Sequence, residues 1–205
     1  NYSSSKASAE IIFTSYLNSY FKNNFLSIAS ARAGNVIGGG DYSQYRLVPD
    51  CIRSWRAKEK AVLRNPGSTR PWQHVLEPLR GYLQLAQAVA VGKIDSGEAF
   101  NFGPSSSDVR SVVQLVEELA KYRSDARWEV NEGSREFGEC DLLALNCDKA
   151  ACRLGWKPLL RFEKTAEITS KWYRMVDDGA DSRKTCEWQI LEYMKDLEAA
   201  SGIRS

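Results

Sequence analysis

Histidine is almost missing from this sequence. His74 is the only one, and the five cysteines (Cys51, Cys140, Cys147, Cys152, Cys186) are scattered without a Cys-x-x-Cys pair. A tetrahedral zinc site draws on clustered Cys and His ligands, so no metal centre is expected. An odd number of dispersed cysteines gives no disulfide framework either; reduced, mostly buried thiols in a cytoplasmic protein are the expectation. No apolar run approaches the ~20 residues a bilayer-spanning helix needs. Charge of one sign is lacking too: 28 Lys and Arg stand against 26 Asp and Glu, a formal +2 with the signs interspersed. That balance gives no electrostatic attraction to nucleic acid or to an anionic membrane. Residues 1–10 are small and polar and do not read as a secretory leader. A start at Asn rather than Met leads to the expectation of a segment upstream. Internal repeats, low-complexity tracts and a Gly-x-Gly-x-x-Gly turn are all absent from the 205 residues.

What is present begins at the first residues. Tyr2 and Lys6 are four apart, which on a helix sets both side chains on one face, a turn from each other. Ala9, Ile12, Phe13, Tyr16, Leu17 and Tyr20 continue as an apolar stripe with helical period. A phenol has a pKa near ~10, and a fixed cation beside it favours the phenolate. Such a tyrosine can exchange a proton with a substrate hydroxyl at neutral pH. By itself, Tyr-x-x-x-Lys is more often two residues that share a helix face.

The next block changes the odds. Phe25–Arg32 reads as a short strand and runs into Ala31-Arg32-Ala33-Gly34-Asn35-Val36-Ile37-Gly38-Gly39-Gly40-Asp41. A Tyr-x-x-x-Lys helix followed by a strand into Arg-x-x-Asn-Val-x-Gly resembles the extended short-chain dehydrogenase/reductase family, in its nucleotide-sugar branch. The fold implied is α/β: the C-terminal part of an NAD(P)-binding, Rossmann-like doubly wound fold, plus a smaller mixed α/β substrate-binding domain. Residues 1–45 would be the end of the Rossmann-like domain. Residues 46–205 would be mainly the substrate-binding region, with segments returning to the first domain.

The resemblance also implies a chemistry. Tyr2 would be the catalytic acid/base, and Lys6 would lower its pKa and hold the nicotinamide ribose of NAD. In such relatives an Asn and an Arg hold the substrate diphosphate, and Asn35 and Arg70 match them. A guanidinium suits bidentate phosphate contact, and an amide adds neutral donors. For Asn35 a role in its own turn is as good a reading. The runs at 34–41 and at Arg70-Pro71-Trp72-Gln73-His74-Val75-Leu76-Glu77-Pro78-Leu79 are closest to the 4,6-dehydratases that act on CDP-glucose. Oxidation at C4, loss of water across C5–C6 and hydride return to C6 would follow, with deoxysugars for a surface polysaccharide as the outcome. A 4-epimerase of the same family, or a non-catalytic fragment that binds a nucleotide sugar or a partner chain, are the alternatives. The elimination acid/base pair is not assigned, neither to Glu10 nor to Asp41. A homodimer built through the Tyr2–Lys6 helix is implied for the longer parent.

Further along, Leu47–Arg56 reads as a helix with Pro49 in its tolerant first turn. Ala61–Arg64 reads as a strand, 65–68 as a turn, and Gly38–Gly40 as a loop lining a substrate cleft. His74 is expected to be a packed, satisfied imidazole rather than a base. A long helix follows with Leu79, Tyr82, Leu83, Leu85, Ala86 and Val89 as its buried side. Ala99–Pro104 is a strand, and Ser107–Asp108 should cap a helix through Val112, Leu115, Val116 and Leu119. Arg127–Val130 alternates as a strand, and Asp141–Leu145 is a short apolar segment. Asp148 should cap a helix that stops at Gly155, and helices over 165–176 and 185–199 close the chain.

Overall fold

The computed structural model describes residues 2–21, 26–131 and 143–201, with the backbone alone for Tyr2 and Ser201. The chain is α/β and divides into two compact units, residues 1–33, 78–102 and 146–157, and residues 34–77, 103–145 and 158–205.

In the first unit, helix α1 (Tyr2–Tyr16) continues into a π-helical turn over Leu17–Phe21. Strand β1 (Ser30–Ala33) lies parallel to β6 (Ala99–Phe102), with Ser30 opposite Ala99. Parallel neighbours need a long crossover, and helix α3 (Leu76–Ala90) supplies its last leg. Leu85, Ala88, Ile94, Phe100 and Phe102 form the core with Ala150 and Trp156, around helix α5 (Asp148–Leu154). Phe102 meets Trp156 edge-on at 5.1 Å and Tyr82 at 5.6 Å. Gly81 is required there, because a Cβ on it would fall inside the Phe102 ring.

The second unit carries three small ladders. Strand β2 (Asn35–Ile37) runs parallel to β5 (Trp72–His74), and β3 (Ala61–Leu63) runs parallel to β8 (Trp128–Val130). Strand β4 (Thr69–Arg70) is antiparallel to β7 (Arg110–Ser111). Helix α2 (Leu47–Arg56) buries Val48, Cys51, Ile52 and Trp55, a helical i, i+3, i+4, i+7 set. The Trp55 indole donates to the Arg127 carbonyl at 2.8 Å. Helix α4 (Val112–Ala120) adds Leu115, Val116 and Leu119 to this core, and helix α6 (Phe162–Asp177) adds Phe162, Ala166, Trp172 and Tyr173. Helix α7 (Ser182–Ser201) packs on α6, where Gln189 Nε2 donates to the Ile168 carbonyl at 2.7 Å.

Several expectations need correction. The strand expected from Phe25 starts at Ser30, and Phe25 itself lies outside the described residues. On α1 only Phe13 and Leu17 of the apolar stripe turn partly inward, whereas Ile12, Tyr16 and Tyr20 are exposed. On α3 the buried line is Gly81, Leu85 and Ala88; Leu79, Leu83 and Ala86 are exposed, because the small Gly81 lets Phe102 approach that side. Ser107 and Asp108 sit in a 3₁₀ turn, and the cap of α4 is Ser111, in a reciprocal box with Gln114. Asp148 is the first helical residue rather than the cap, and the Asn146 side chain accepts from its N–H at 2.9 Å. Leu143–Leu145 has no regular structure, while Asp141 and Leu142 lie outside the described residues. Of the thiols, Cys51 is buried and its pKa is pushed up to about 12 by desolvation. Cys147 is half-buried, Cys152 and Cys186 are exposed, and Cys140 is not among the described residues.

Candidate active site

The Tyr2–Lys6 end of α1 belongs to the first unit. Tyr2 is the first helical residue, and Lys6 follows one turn later with an exposed side chain. The opposite end of the same turn-by-turn line is tied to the sheet. Arg32, on β1, donates through Nε to Glu10 Oε1 at 2.7 Å and through Nη2 to Glu10 Oε2 at 2.8 Å. Its Nη1 also reaches Asn101 Oδ1 on β6 at 3.4 Å. The paired hydrogen bonds from Arg32 hold the Glu10 carboxyl below its ordinary pKa and raise that of the guanidinium. Glu10 is therefore a fixed carboxylate, ill suited to donating a proton.

Asn35 and Arg70 belong to the second unit. The β2–β5 register sets Asn35 opposite Trp72, two residues past Arg70. The Asn35 backbone N–H donates to the Pro71 carbonyl at 3.1 Å, so the chain segments bearing the amide and the guanidinium are stitched together at that point. Gly34 permits this approach, since a Cβ there would stand 2.8 Å from the same carbonyl. Both side chains are half-buried, and Arg70 Nη1 donates to the Thr69 carbonyl at 2.9 Å.

Across the β4–β7 ladder Arg70 faces Arg110. Directly opposed like charges repel unless something compensates them. Part of the compensation for Arg110 comes from carbonyls: its Nη1 donates to Ser107 at 2.6 Å and Val109 at 3.1 Å. Its guanidinium also lies over the Phe162 ring at 5.5 Å. The sequence reading passed over Arg110. Only the strand pairing reveals it, since forty residues separate the two arginines.

The glycine run that the sequence reading assigned to a cleft answers a packing demand. A Cβ on Gly39 would fall inside the Trp172 indole, and one on Gly38 would stand 2.9 Å from Val75 Cγ1. Beside them the Tyr173 hydroxyl donates to the Asp41 carbonyl at 2.7 Å, and burial pushes that phenol's pKa up.

His74 is buried at the end of β5, just ahead of α3, and desolvation lowers its pKa to about 4. Its Nδ1 lies 3.4 Å from the Leu76 N–H as acceptor, and Nε2 has no hydrogen-bond partner among the described residues. The imidazole is packed, as expected, but only half satisfied. Glu77 lies in the Arg70–Leu79 run, but the sequence reading assigned it no role of its own. Fully buried at the start of α3, it accepts from the Leu159 N–H at 2.9 Å, the Leu160 N–H at 2.7 Å and the Tyr193 hydroxyl at 3.0 Å. An acid wedged between Leu76 and Pro78 in an apolar context was the available signal.

Comparison with known proteins extends this geometry. The family described as GDP-mannose 4,6 dehydratase matches residues 1–169. The chain is 38% identical over 199 residues to a CDP-glucose 4,6-dehydratase of Salmonella typhimurium, covering 94% of this chain and 55% of that protein. It is 24% identical over 194 residues to a dTDP-glucose 4,6-dehydratase of Escherichia coli, covering 92% and 51% respectively. The chain thus spans about half the length of the curated relatives it matches. Among solved structures, a Bacillus anthracis dTDP-glucose 4,6-dehydratase in complex with NAD aligns with a TM-score of 0.65 at 24% identity, over 87% of this chain and 53% of that one. A UDP-glucose-4-epimerase of Stenotrophomonas maltophila with bound NAD aligns at 0.69 with 16% identity, over 83% and 54%. At these identities the likeness establishes the Rossmann-type α/β fold and no more.

Proposed function

Because the chain belongs to the GDP-mannose 4,6 dehydratase family, we propose that it is the catalytic-helix and substrate-binding portion of an NAD-dependent nucleotide-sugar 4,6-dehydratase acting on CDP-glucose. The observation that carries this reading is the 38% identity with a CDP-glucose 4,6-dehydratase across 94% of the chain. The first unit would complete the cofactor domain and the second would hold the nucleotide sugar.

The residues of this chain then have distinct tasks. Tyr2, as phenolate, takes the proton of the sugar 4-hydroxyl. The cation of Lys6 a turn away favours that charge. NAD, when bound, would supply the acceptor for the C4 hydride and the source of the hydride that ends at C6. Tyr2 and Lys6 would hold the nicotinamide-ribose end of that cofactor, whereas the Gly-rich turn that would cradle its diphosphate is not among these 205 residues. Once C4 is a ketone the C5 proton is acidic, and water leaves across C5–C6. Glu10, held by Arg32, is not assigned to that elimination. Asn35 and Arg70 hold the substrate diphosphate, and the backbone bond from Asn35 to Pro71 supports their acting on one group.

Ile11, Ile12 and Tyr16, exposed along α1, and Tyr20 in its π-helical continuation support a homodimer formed through that helix. No helix among the described residues is long and apolar enough to cross a membrane; the cytoplasmic location in this proposal rests on the likeness to a CDP-glucose 4,6-dehydratase. The test is to incubate the full-length protein with NAD and CDP-glucose and follow the product by mass. Loss of one water supports the dehydratase. A change of sugar epimer without loss of water would assign a 4-epimerase, and binding without turnover would leave a nucleotide-sugar binding fragment.

A further inference from the structure

Helix α7 buries Thr185, Gln189 and Tyr193, and Gln189 donates to the Ile168 carbonyl of α6. Away from that line Leu191 and Met194 are 58% and 50% exposed, and Trp188, on the flank, is 42% exposed. Large apolar side chains left in water along one helix are the unusual feature. The charges around them are ordered. Lys184 and Glu187 precede the apolar triplet, Lys195 and Glu198 follow it, and all seven residues fall within about 60° of the Leu191 direction at 100° per residue.

We propose that this face is a self-association surface, on which a second copy of the same chain lays its own α7 antiparallel across a twofold axis at Leu191. That register is self-complementary. Leu191 meets Leu191 of the second copy, and Trp188 meets Met194. Lys184 meets Glu198, and Glu187 meets Lys195. A parallel arrangement would instead set Lys184 on Lys184 and Glu198 on Glu198, which like-charge repulsion disfavours. The occupant follows from the order of charges: an isologous contact needs a surface complementary to itself under a twofold rotation, and this sequence is. Arg183–Glu187 and Lys195–Glu192 are exposed intrahelical contacts, a class worth little in water. The contact is distinct from the α1 homodimer and does not rest on the proposed activity.

The test is sedimentation velocity on the full-length protein over a range of concentrations. Leu191→Glu and Lys184→Glu should each weaken self-association about tenfold, through a buried charge and a Glu–Glu clash respectively. The double variant Lys184→Glu/Glu198→Lys recreates the complementary order and should restore association. Surface charge exchanges leave the fold intact, so this pair decides even if Leu191→Glu fails to fold. In Leu191→Cys, oxidation should yield a cross-link that peptide mapping assigns to residue 191 in both copies. Association indifferent to Lys184→Glu, failure of the double variant to recover it, or absence of the 191–191 cross-link would each overturn the proposal. Coverage of the face by another part of the longer protein, or by a different protein, would show as that indifference.

Discussion

Arg32 on β1 grips Glu10 on α1 with two hydrogen bonds, of 2.7 and 2.8 Å. The contact joins the two motifs that carry the functional assignment, one end of the Tyr-x-x-x-Lys helix and the arginine of Arg-x-x-Asn-Val. Both groups are partly exposed, so the pair contributes no more than about 1 kcal/mol to stability. Its weight lies in fixing the helix. Glu10→Gln should therefore change the melting temperature by only a few degrees while lowering kcat more than the KM for the nucleotide sugar. Because the pair depresses the Glu10 pKa, its contribution is present above the ordinary carboxylate pKa and fades as pH falls through the lowered one. Measuring both quantities in Glu10→Gln and Arg32→Lys tests this.

Glu77 carries a larger share of stability. Removing its carboxylate strands the Leu159 and Leu160 N–H groups in the interior. Glu77→Ala should cost about 2–4 kcal/mol in denaturant unfolding, the penalty of orphaned buried donors. Tyr193→Phe, which deletes one partner and strands none of those amides, should cost only about 1 kcal/mol.

His74 sets a pH dependence that reaches above the carboxylate range. It is the only histidine, and burial lowers its pKa to about 4, against about 6.5 in an unfolded chain. Between those values the unfolded state binds the extra proton, so stability rises with pH there. On acidification from 6.5 towards 4, about 3 kcal/mol should be lost through this group. Among the described residues the carboxylates held below their ordinary range, Glu10, Glu98, Asp125 and Glu167, keep their charge in the upper part of that window, which leaves it to His74. In His74→Gln the slope of stability against pH between 5 and 6.5 should flatten.

Gly39 and Gly67 make a matched pair. A methyl group at Gly39 must displace the Trp172 indole, while one at Gly67 meets nothing within 4 Å. Gly39→Ala should lose about 2 kcal/mol or more, and Gly67→Ala should be neutral or gain a few tenths from reduced unfolded-state entropy. Equal effects would contradict the packing account of the glycine run.

How far the sequence foretold this structure can be judged from single elements. Helix α2 was legible because Val48, Cys51, Ile52 and Trp55 keep one period and Pro49 sits where a missing N–H costs nothing. The buried side of α3 was legible only in part: Leu85 is buried and Tyr82 and Val89 pack on the core, but Leu79, Leu83 and Ala86 are exposed. Leu79, Tyr82, Leu83, Leu85 and Ala86 surround most of the helix, and only the clearance Gly81 gives Phe102 selects the inward line. The cap of α4 was misplaced because Ser107 and Ser111 are both good caps, and Gln114 three residues after Ser111 is what decides. Asn35 and Arg70 could be named from motifs, but the strand pairing that brings Arg110 opposite Arg70 is non-local. Glu77 is harder still, since its partners lie more than eighty residues away along the chain.

Arg70 and Asn35 should divide cleanly from Tyr2 in kinetics. With the full-length protein, Arg70→Ala should raise the KM for the nucleotide sugar by about tenfold or more, the loss of a charge-assisted phosphate contact. The effect on kcat should be smaller. Arg70→Lys should recover only part of it, because an ammonium cannot reproduce a bidentate fork.

The most direct measurement of the central claim is turnover of CDP-glucose by the full-length protein and its Tyr2→Phe variant, with NAD present and the product read by mass. The account predicts a product lighter by one water from the unaltered protein, and a loss of at least about a hundredfold in kcat in the variant. Unchanged dehydration in Tyr2→Phe, or a product that retains the water, would contradict it.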